Sequence, residues 1–293
     1  MGRVFRLTLV LGMLSAATCG AARAGSASIV SVSTPRGVQQ AFILIKPDHP
    51  AASVILFEGG AGALRLTSVP PPKVGAEDFV NGNFLVRSRE KFAAHDLMVA
   101  VIDAPSDHQD GMSPFFRISE DHAIDIGAVA DYLKSQASVP VWLVGTSAGT
   151  WSVARGAIGA GRDGIAKGSI DGLVLTSTVT HTPPDSEFGK VFPGFAKGHP
   201  DGVMSMALSQ ISVPTLIMSH REDTCVNTPS SDAPTLAMRL RRASKVEIAL
   251  LSGGDPPKSD PCEAYGPHGY FGIETQAVDR IAQFIAAYSK RAP

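Results

Sequence analysis

The residues with the clearest chemical potential lie in the stretch Val-Trp-Leu-Val-Gly-Thr-Ser-Ala-Gly, at positions 141–149. An apolar run ends there in Gly-x-Ser-x-Gly, and a segment with helical spacing follows, from Ala148 to about Ala160. This order of strand, sharp turn and helix exposes a serine hydroxyl at the tip of the turn, where it can act as a nucleophile. The amide of Ala148, at the helix start, would then face the negative charge that develops on a substrate oxygen. The alternative interpretation is an ordinary helix start, capped by Thr146 or Ser147.

A serine of this kind must be held by strands and helices, and the sequence predicts both. Short apolar or β-branched runs predict strands at 27–33, 38–45, 53–57, 96–102, 140–147, 172–176, 214–219 and 246–251. Helical spacing predicts helices at 85–94, 118–136, 148–160, 233–242 and 273–288.

The arrangement of these elements predicts an α/β fold. The first two strands, joined by Pro-Arg-Gly at positions 35–37, are expected to form an antiparallel hairpin. From residue 53 onward strands and helices alternate, which predicts a mostly parallel central sheet with helices on both faces. No repeat or linker divides the chain, so we expect a single domain over residues 25–293. The irregular segment 177–212, with a short helix near 204–210, leaves room for little or no lid domain.

Taken together, these features resemble the α/β-hydrolase fold, and the resemblance covers nearly the whole mature chain. Members of that family place the nucleophile, the acid and the histidine in this order along the chain. Of the eight histidines, only His268 follows Asp223, and it lies in Gly-Pro-His-Gly just before the last helix. The resemblance therefore implies a Ser147, Asp223 and His268 triad that cleaves an ester, or an amide, through an acyl-enzyme. It implies no cofactor.

The acid of this triad has alternatives. Asp223 follows the seventh strand, where the family usually carries its carboxylate, but Glu222 is adjacent and Asp185 follows the sixth strand. A turn or capping role for Asp223 is the structural alternative.

The resemblance also implies two backbone donors for the oxyanion. Ala148 supplies one, and the loop Glu-Gly-Gly-Ala-Gly at positions 58–62 supplies the other, with Gly60 as first choice and Ala61 as the alternative. Glu58 stands where the family commonly carries histidine, and the sequence assigns it no role.

The N-terminus is typical of a secretory signal peptide. Arg3 and Arg6 precede an apolar run, and Ala-Arg-Ala at 22–24 provides a cleavage site after Ala24. The apolar run is too short to span a membrane. We therefore expect residues 1–24 to be a signal peptide and the protein to be an exported bacterial esterase-like hydrolase, secreted or periplasmic, with no stable membrane anchor.

The cysteines agree with export. Cys19 leaves with the signal peptide, so Cys225 and Cys262 remain as a pair. In an oxidising compartment such a pair is expected to form a disulfide, whereas two buried free thiols are the alternative. The bond would tie the loop of the acid to the loop of the histidine.

Composition excludes other classes of function. A formal net charge of −1 gives no electrostatic reason to expect a nucleic-acid partner. Asp107, His108 and Asp110 lack the spacing of a zinc site, so we expect no metal, and His122 is interpreted as a packed core histidine.

The expected partner is a small-molecule ester, and the oligomeric state is left open. A peptidase of the same fold and a non-catalytic binding protein that retains the fold are the competing hypotheses.

Overall fold

The computed structural model describes residues 25–75, 82–159, 165 and 169–289. The expected signal peptide, residues 1–24, lies outside the described residues.

Eight strands of the described chain form a single sheet in the order β1-β2-β4-β3-β5-β6-β7-β8. The strands are β1 (Ser28–Ser33), β2 (Gln39–Ile45), β3 (Ala52–Phe57), β4 (Leu97–Ile102), β5 (Val141–Ser147), β6 (Gly172–Thr178), β7 (Thr215–His220) and β8 (Val246–Leu251). β2 pairs antiparallel with both β1 and β4, and all the other pairings are parallel. The prediction of an antiparallel start and a mostly parallel sheet is therefore confirmed.

The predicted helices are present, although their bounds differ. The helix expected at 233–242 ends at Arg239, and the short helices Pro114–Arg117, Glu187–Val191 and Pro193–Gly198 were not predicted. In chain order, the helices are α1 (Phe84–Arg87), α2 (Arg89–Ala93), α3 (Pro114–Arg117), α4 (Glu120–Gln136), α5 (Gly149–Gly159), α6 (Glu187–Val191), α7 (Pro193–Gly198), α8 (Ala233–Arg239) and α9 (Glu274–Tyr288). The single helix expected at 85–94 is divided into α1 and α2 because Ser88 leaves the helical conformation, with φ −98° and ψ 3°. The helix expected from 118 begins at Glu120, after Ser119 caps it. In the described part of the chain, no helix has the length and hydropathy needed to cross a membrane.

Helices cover both faces of the sheet. All residues of β3 and of β4 are buried, which is typical of strands in a sheet covered on both sides. Because successive side chains point to opposite faces, Ile55 and Phe57 pack in the core formed with α4 and α5, while Val54 and Leu56 pack in the core formed with α1, α2 and α9. The sheet thus separates two apolar cores.

The segment between β6 and β7 forms a short cap. It contains α6, α7 and 3-10 turns at Gly202–Ser205 and Leu208–Gln210, of which only the helical turns near 204–210 were expected. Phe195, Val203 and Leu208 pack into the same core as α5. The expectation of little or no lid domain agrees with this arrangement.

The parallel part of the sheet brings distant residues to one edge. β3, β5, β6, β7 and β8 run in the same direction, so their carboxyl ends meet there. The loops after β3, β7 and β8 carry Gly60, Asp223 and His268, and Ser147 ends β5. Ligands of open α/β sheets bind at this edge.

Candidate functional site

Ser147 sits in a sharp turn between β5 and α5. Its φ of +52° lies in the left-handed region, which non-glycine residues rarely adopt. The flanking glycines make the turn possible: a Cβ on Gly145 would lie 2.6 Å from the carbonyl oxygen of Gly149, and one on Gly149 would collide with the carbonyl oxygen of Phe57. The Gly-x-Ser-x-Gly sequence therefore forms the strand, turn and helix that its spacing predicts.

Asp223 and His268 lie in direct contact. Nδ1 of His268 is 3.0 Å from Oδ2 of Asp223, and both side chains are buried. Nε2 of His268 is also buried, and it has no hydrogen-bond partner in the described part of the chain. His268 and Ser147 line the same cavity. The imidazole is thus anchored through one nitrogen, while the other is uncommitted.

The alternative acids lie elsewhere. Glu222 is exposed and contacts Nδ1 of His220, with 3.0 Å between Oε2 and the ring nitrogen. Asp185 is exposed in the turn before α6. Of the three candidate carboxylates, Asp223 is therefore the one that the fold brings to His268.

Thr228 is a member of this cluster that sequence reasoning missed. Its hydroxyl donates to Oδ2 of Asp223 over 2.9 Å and lies 3.2 Å from Nδ1 of His268. The backbone amide of Cys225 donates to Oδ1 of the same carboxylate over 3.0 Å. Both carboxylate oxygens are therefore held, which fixes the orientation that Asp223 presents to the imidazole.

Two further side chains hold the loop of His268, and both were also missed. The hydroxyl of Ser177, a buried residue at the end of β6, donates to the backbone carbonyl of His268 over 2.8 Å. Nη2 of Arg87 on α1 donates to the carbonyl of Gly269 over 2.6 Å, and the same guanidinium pairs with Glu274. The only local signal in the sequence is the short polar run that ends β6.

The expected disulfide is present. Cys225 and Cys262 are bonded, with their Cα atoms 4.6 Å apart. Cys225 follows Asp223 by two residues and Cys262 precedes His268 by six. The covalent bond therefore joins the two loops that carry the aspartate and the histidine.

The loop after β3 lies against the serine. A Cβ on Gly59 would be 2.9 Å from Cβ of Ser147, so the serine turn requires glycine there. The carbonyl of Gly59 accepts from the amide of Gly62, which closes a tight turn. The amides of Gly60 and Ala61 donate no hydrogen bond to any described residue. Both amides are thus available to an oxygen bound beside Ser147.

A buried arginine, again missed from the sequence, fixes this turn. Arg117 is 1% exposed; its Nη2 donates to the carbonyl of Gly60 over 3.1 Å and its Nη1 to the hydroxyl of Ser152 over 2.9 Å. A Cβ on Gly62 would collide with the guanidinium, so the sequence Gly-Gly-Ala-Gly lets the arginine approach. Because the carbonyl of one peptide and its amide point in opposite directions, this contact turns the amide of Ala61 away from Arg117.

Glu58 shares the environment of Arg117. Its side chain is buried and lines the cavity beside Ser147. Burial lowers the pKa of Arg117 to about 10, while the nearby carboxylate of Glu58 acts in the opposite direction. Arg117 therefore stays charged at neutral pH, with Glu58 as its electrostatic counterpart.

Two cavities meet at Ser147. One, of about 370 Å³, is lined by His268, Glu58 and Tyr265. The other, of about 600 Å³, extends past Ala148 toward α5 and α6. Both volumes are in the range of small-molecule sites.

Asp107, His108 and His122 line neither of the two cavities at Ser147. Asp107 pairs with Arg36, and the ring of His108 lies on that of Phe116, with 3.8 Å between centroids. His122 is fully buried, as its position on an apolar helix stripe predicts. Within the described ranges, no three His, Cys, Asp or Glu side chains are grouped so that they could hold a metal ion.

Comparison with known proteins identifies the fold. No family model matches the sequence, and no curated protein matches it significantly. Three similar solved structures are the esterase Pf2001 of Pyrococcus furiosus (TM-score 0.59, 14% identity, covering 91% of this chain and 94% of that one), the dienelactone hydrolase of Anabaena variabilis (0.55, 14%, 92% and 100%) and a bacterial brefeldin A esterase (0.59, 13%, 95% and 81%). At these identities the likeness establishes the α/β-hydrolase fold.

Proposed function

We propose that the chain is a serine hydrolase that cleaves a carboxylic ester through an acyl-enzyme. The observation that carries the proposal is the state of His268. Its Nδ1 contacts the buried Asp223, while its Nε2 has no partner among the described residues and the ring borders a cavity that Ser147 also lines. A histidine base needs one nitrogen held by the acid and the other able to reach the serine hydroxyl. The first condition is met, and Ser147 and His268 line one cavity without a direct hydrogen bond between Oγ and Nε2. The solved structures of similar fold that are named esterases lend support from outside the chain.

The reaction proceeds in two halves. Oγ of Ser147 attacks the ester carbonyl carbon as its proton passes to Nε2 of His268, and Asp223 stabilises the imidazolium through Nδ1. The amides of Ala148 and Gly60, with Ala61 as the alternative to Gly60, donate to the oxyanion. The intermediate then expels the alcohol, which takes the proton from His268. Water repeats the sequence on the acyl-enzyme and releases the acid and free Ser147.

Arg117 acts as a positioning residue in this mechanism. It touches neither the serine nor the histidine but holds the carbonyl of Gly60 from inside the protein. Preformed donors stabilise a transition state because they need no rearrangement when charge develops. The buried guanidinium therefore fixes the peptide between Gly60 and Ala61, and with it the orientation of the Ala61 amide.

The proposal includes the location of the protein. We propose that residues 1–24 are removed on export and that residues 25–293 act as one domain outside the cytoplasm. The disulfide between Cys225 and Cys262 supports this, because such bonds persist in oxidising compartments.

Hydrolysis of p-nitrophenyl acyl esters by the oxidised protein tests the proposal. The wild type should hydrolyse them, and Ser147→Ala should lower kcat by roughly 10⁴-fold or more with an unchanged circular dichroism spectrum. Aminoacyl p-nitroanilides, measured in parallel, distinguish an esterase from a peptidase of the same fold. Turnover retained by Ser147→Ala, or absent from the wild type with every ester, would refute the proposed function.

A further inference from the structure

The two cavities at Ser147 differ in their relation to His268. The smaller is lined by both Ser147 and His268. The larger is lined by Ser147 and Ala148, and His268 does not contribute to its walls. In acyl transfer the leaving alcohol must take a proton from Nε2, whereas the acyl group stays on the serine with its oxygen at the backbone donors. The alcohol therefore belongs in the smaller cavity and the acyl group in the larger one.

One wall of the larger cavity is apolar. Trp151 and Val179 are buried in it, and Phe188 and Phe192 are half-buried. The rings of Trp151 and Phe188 lie 5.0 Å apart and those of Phe188 and Phe192 lie 5.3 Å apart, so the aromatic wall is continuous. Val191 at the mouth is 63% exposed. Binding of a hydrocarbon chain against this wall is favourable because it removes apolar surface from water.

The charged groups around this cavity disfavour an anionic acyl group. Asp110, Glu187 and Glu263 line it and are exposed, so three acidic residues border the cavity. The one cation among the described lining residues is Arg117, whose two terminal nitrogens are bound to Gly60 and Ser152. A carboxylate at the far end of the acyl chain would be repelled by these acidic residues, and the described wall offers no free cation to bind it.

We infer that the larger cavity is the acyl site and that the substrates are esters of uncharged, apolar acids of medium length, rather than acetates or half-esters of dicarboxylic acids. This inference rests on the proposed function and adds the substrate class to it. A volume of about 600 Å³ exceeds the needs of an acetyl group and accommodates an acyl chain of six or more carbons.

A panel of p-nitrophenyl esters tests the inference, because the alcohol is constant and only the acyl group changes. The probes are the acetate, the hexanoate and the mono-p-nitrophenyl ester of adipic acid, whose acyl group has six carbons like the hexanoate but ends in a carboxylate instead of a methyl group. We expect kcat/KM for the hexanoate to exceed that for each of the other two by about tenfold or more, since each methylene buried in an apolar site strengthens binding. Equal values for acetate and hexanoate, or a preference for the adipate half-ester, would overturn the inference.

Variants locate the preference in the cavity. Phe188→Ala removes part of the aromatic wall and should lower the hexanoate-to-acetate ratio of kcat/KM by about tenfold. Phe115→Ala is the matched control, because Phe115 is an exposed aromatic residue of the nearby α3 that lines neither cavity. This variant should keep the wild-type ratio. An unchanged ratio in Phe188→Ala would refute the assignment of the acyl site, whereas failure of the wild type to hydrolyse any ester would refute the proposed function itself.

Discussion

Nη2 of Arg117 lies 3.1 Å from the carbonyl oxygen of Gly60, so a buried guanidinium contacts the reverse side of the turn that faces the serine. Burying a charge without a partner has a large free-energy cost. Here the charge is matched by Glu58, by the Gly60 carbonyl and by the hydroxyl of Ser152. The contacts that stabilise the buried charge of Arg117 therefore also hold the Gly60 carbonyl in one orientation.

Replacing the guanidinium should lower turnover more than affinity. We expect Arg117→Met to lower kcat by about tenfold to a hundredfold with a smaller change in KM, because the Ala61 amide loses its fixed orientation while the rest of the cavity wall remains. Steady-state kinetics on a p-nitrophenyl ester measure this. Ser152→Ala, which removes only the other partner of Arg117, is the control and should have the smaller effect. Wild-type kcat in a folded Arg117→Met protein would contradict the positioning role.

The hydroxyl of Thr228 should contribute to catalysis through Asp223. Thr228→Val removes the hydrogen bond to Oδ2 and should lower kcat/KM by about tenfold, since hydrogen bonds to charged groups are among the stronger ones. Thr228→Ser retains the hydroxyl and should retain most of the activity. The measurement is kcat/KM across pH, because a change in how Asp223 holds the imidazole alters the pH profile. Full activity of the valine variant at every pH would show that the contact has no catalytic role.

The disulfide should support both stability and activity. It closes a loop with a sequence separation of 37 residues, for which loop entropy in the unfolded chain predicts a contribution of about 4 kcal/mol. Reduction of the wild type should therefore lower the melting temperature, and it should lower kcat/KM because the loops of Asp223 and His268 are no longer joined. The Cys225→Ser, Cys262→Ser double variant should resemble the reduced wild type and be insensitive to reductant. If reduction changes neither quantity, the bond does not fix the relative position of the two loops.

His122 should make stability depend on pH. It is fully buried, neither ring nitrogen has a hydrogen-bond partner among the described residues, and burial, followed by the charges of Arg117, Arg36 and His108, lowers its pKa well below 6.5. The unfolded chain protonates this imidazole below about pH 6.5, while the folded chain does not, so the free energy of unfolding falls as the pH decreases.

His122→Phe removes this titration and places an apolar ring beside Phe116. Between pH 7.5 and 5, the free energy of unfolding of this variant should fall by about 2 kcal/mol less than that of the wild type. Urea denaturation at the two pH values measures the difference. His49→Gln, at an exposed position, is the control and should follow the wild type. Identical pH dependence in His122→Phe and the wild type would show that folding does not lower the pKa of His122.

The sequence predicts those parts of the site that have local or combinatorial signatures. The glycines that flank Ser147 predict its turn, because a Cβ at either position would collide with backbone atoms. The disulfide followed from two remaining cysteines and an export signal. The contact between Asp223 and His268 followed from chain order in the family that the sequence resembles, and their catalytic roles stay predictions.

The parts that were missed depend on contacts between residues far apart in the chain. Arg117 precedes Ser119, the cap of a predictable helix, but its partner Gly60 lies 57 positions away. Ser177 lies 91 positions from His268, and the polar run that contains Ser177 does not indicate which residue it contacts. The helices α6 and α7 form in a segment rich in proline and glycine, where packing on the core decides the structure. These contacts form only when the folded sheet brings the carboxyl ends of separate strands together, so a local stretch of sequence does not reveal them.

The nucleophilic role of Ser147 is the claim on which the account depends, and covalent labelling tests it most directly. The oxidised protein is treated with a fluorophosphonate, and the adduct is located by peptide mass spectrometry. We predict a single adduct on the peptide that contains Ser147, no adduct in Ser147→Ala, and labelling slowed by roughly 10³-fold or more in His268→Ala. A wild-type protein that stays unlabelled, or that carries its adduct on another residue, would contradict the account.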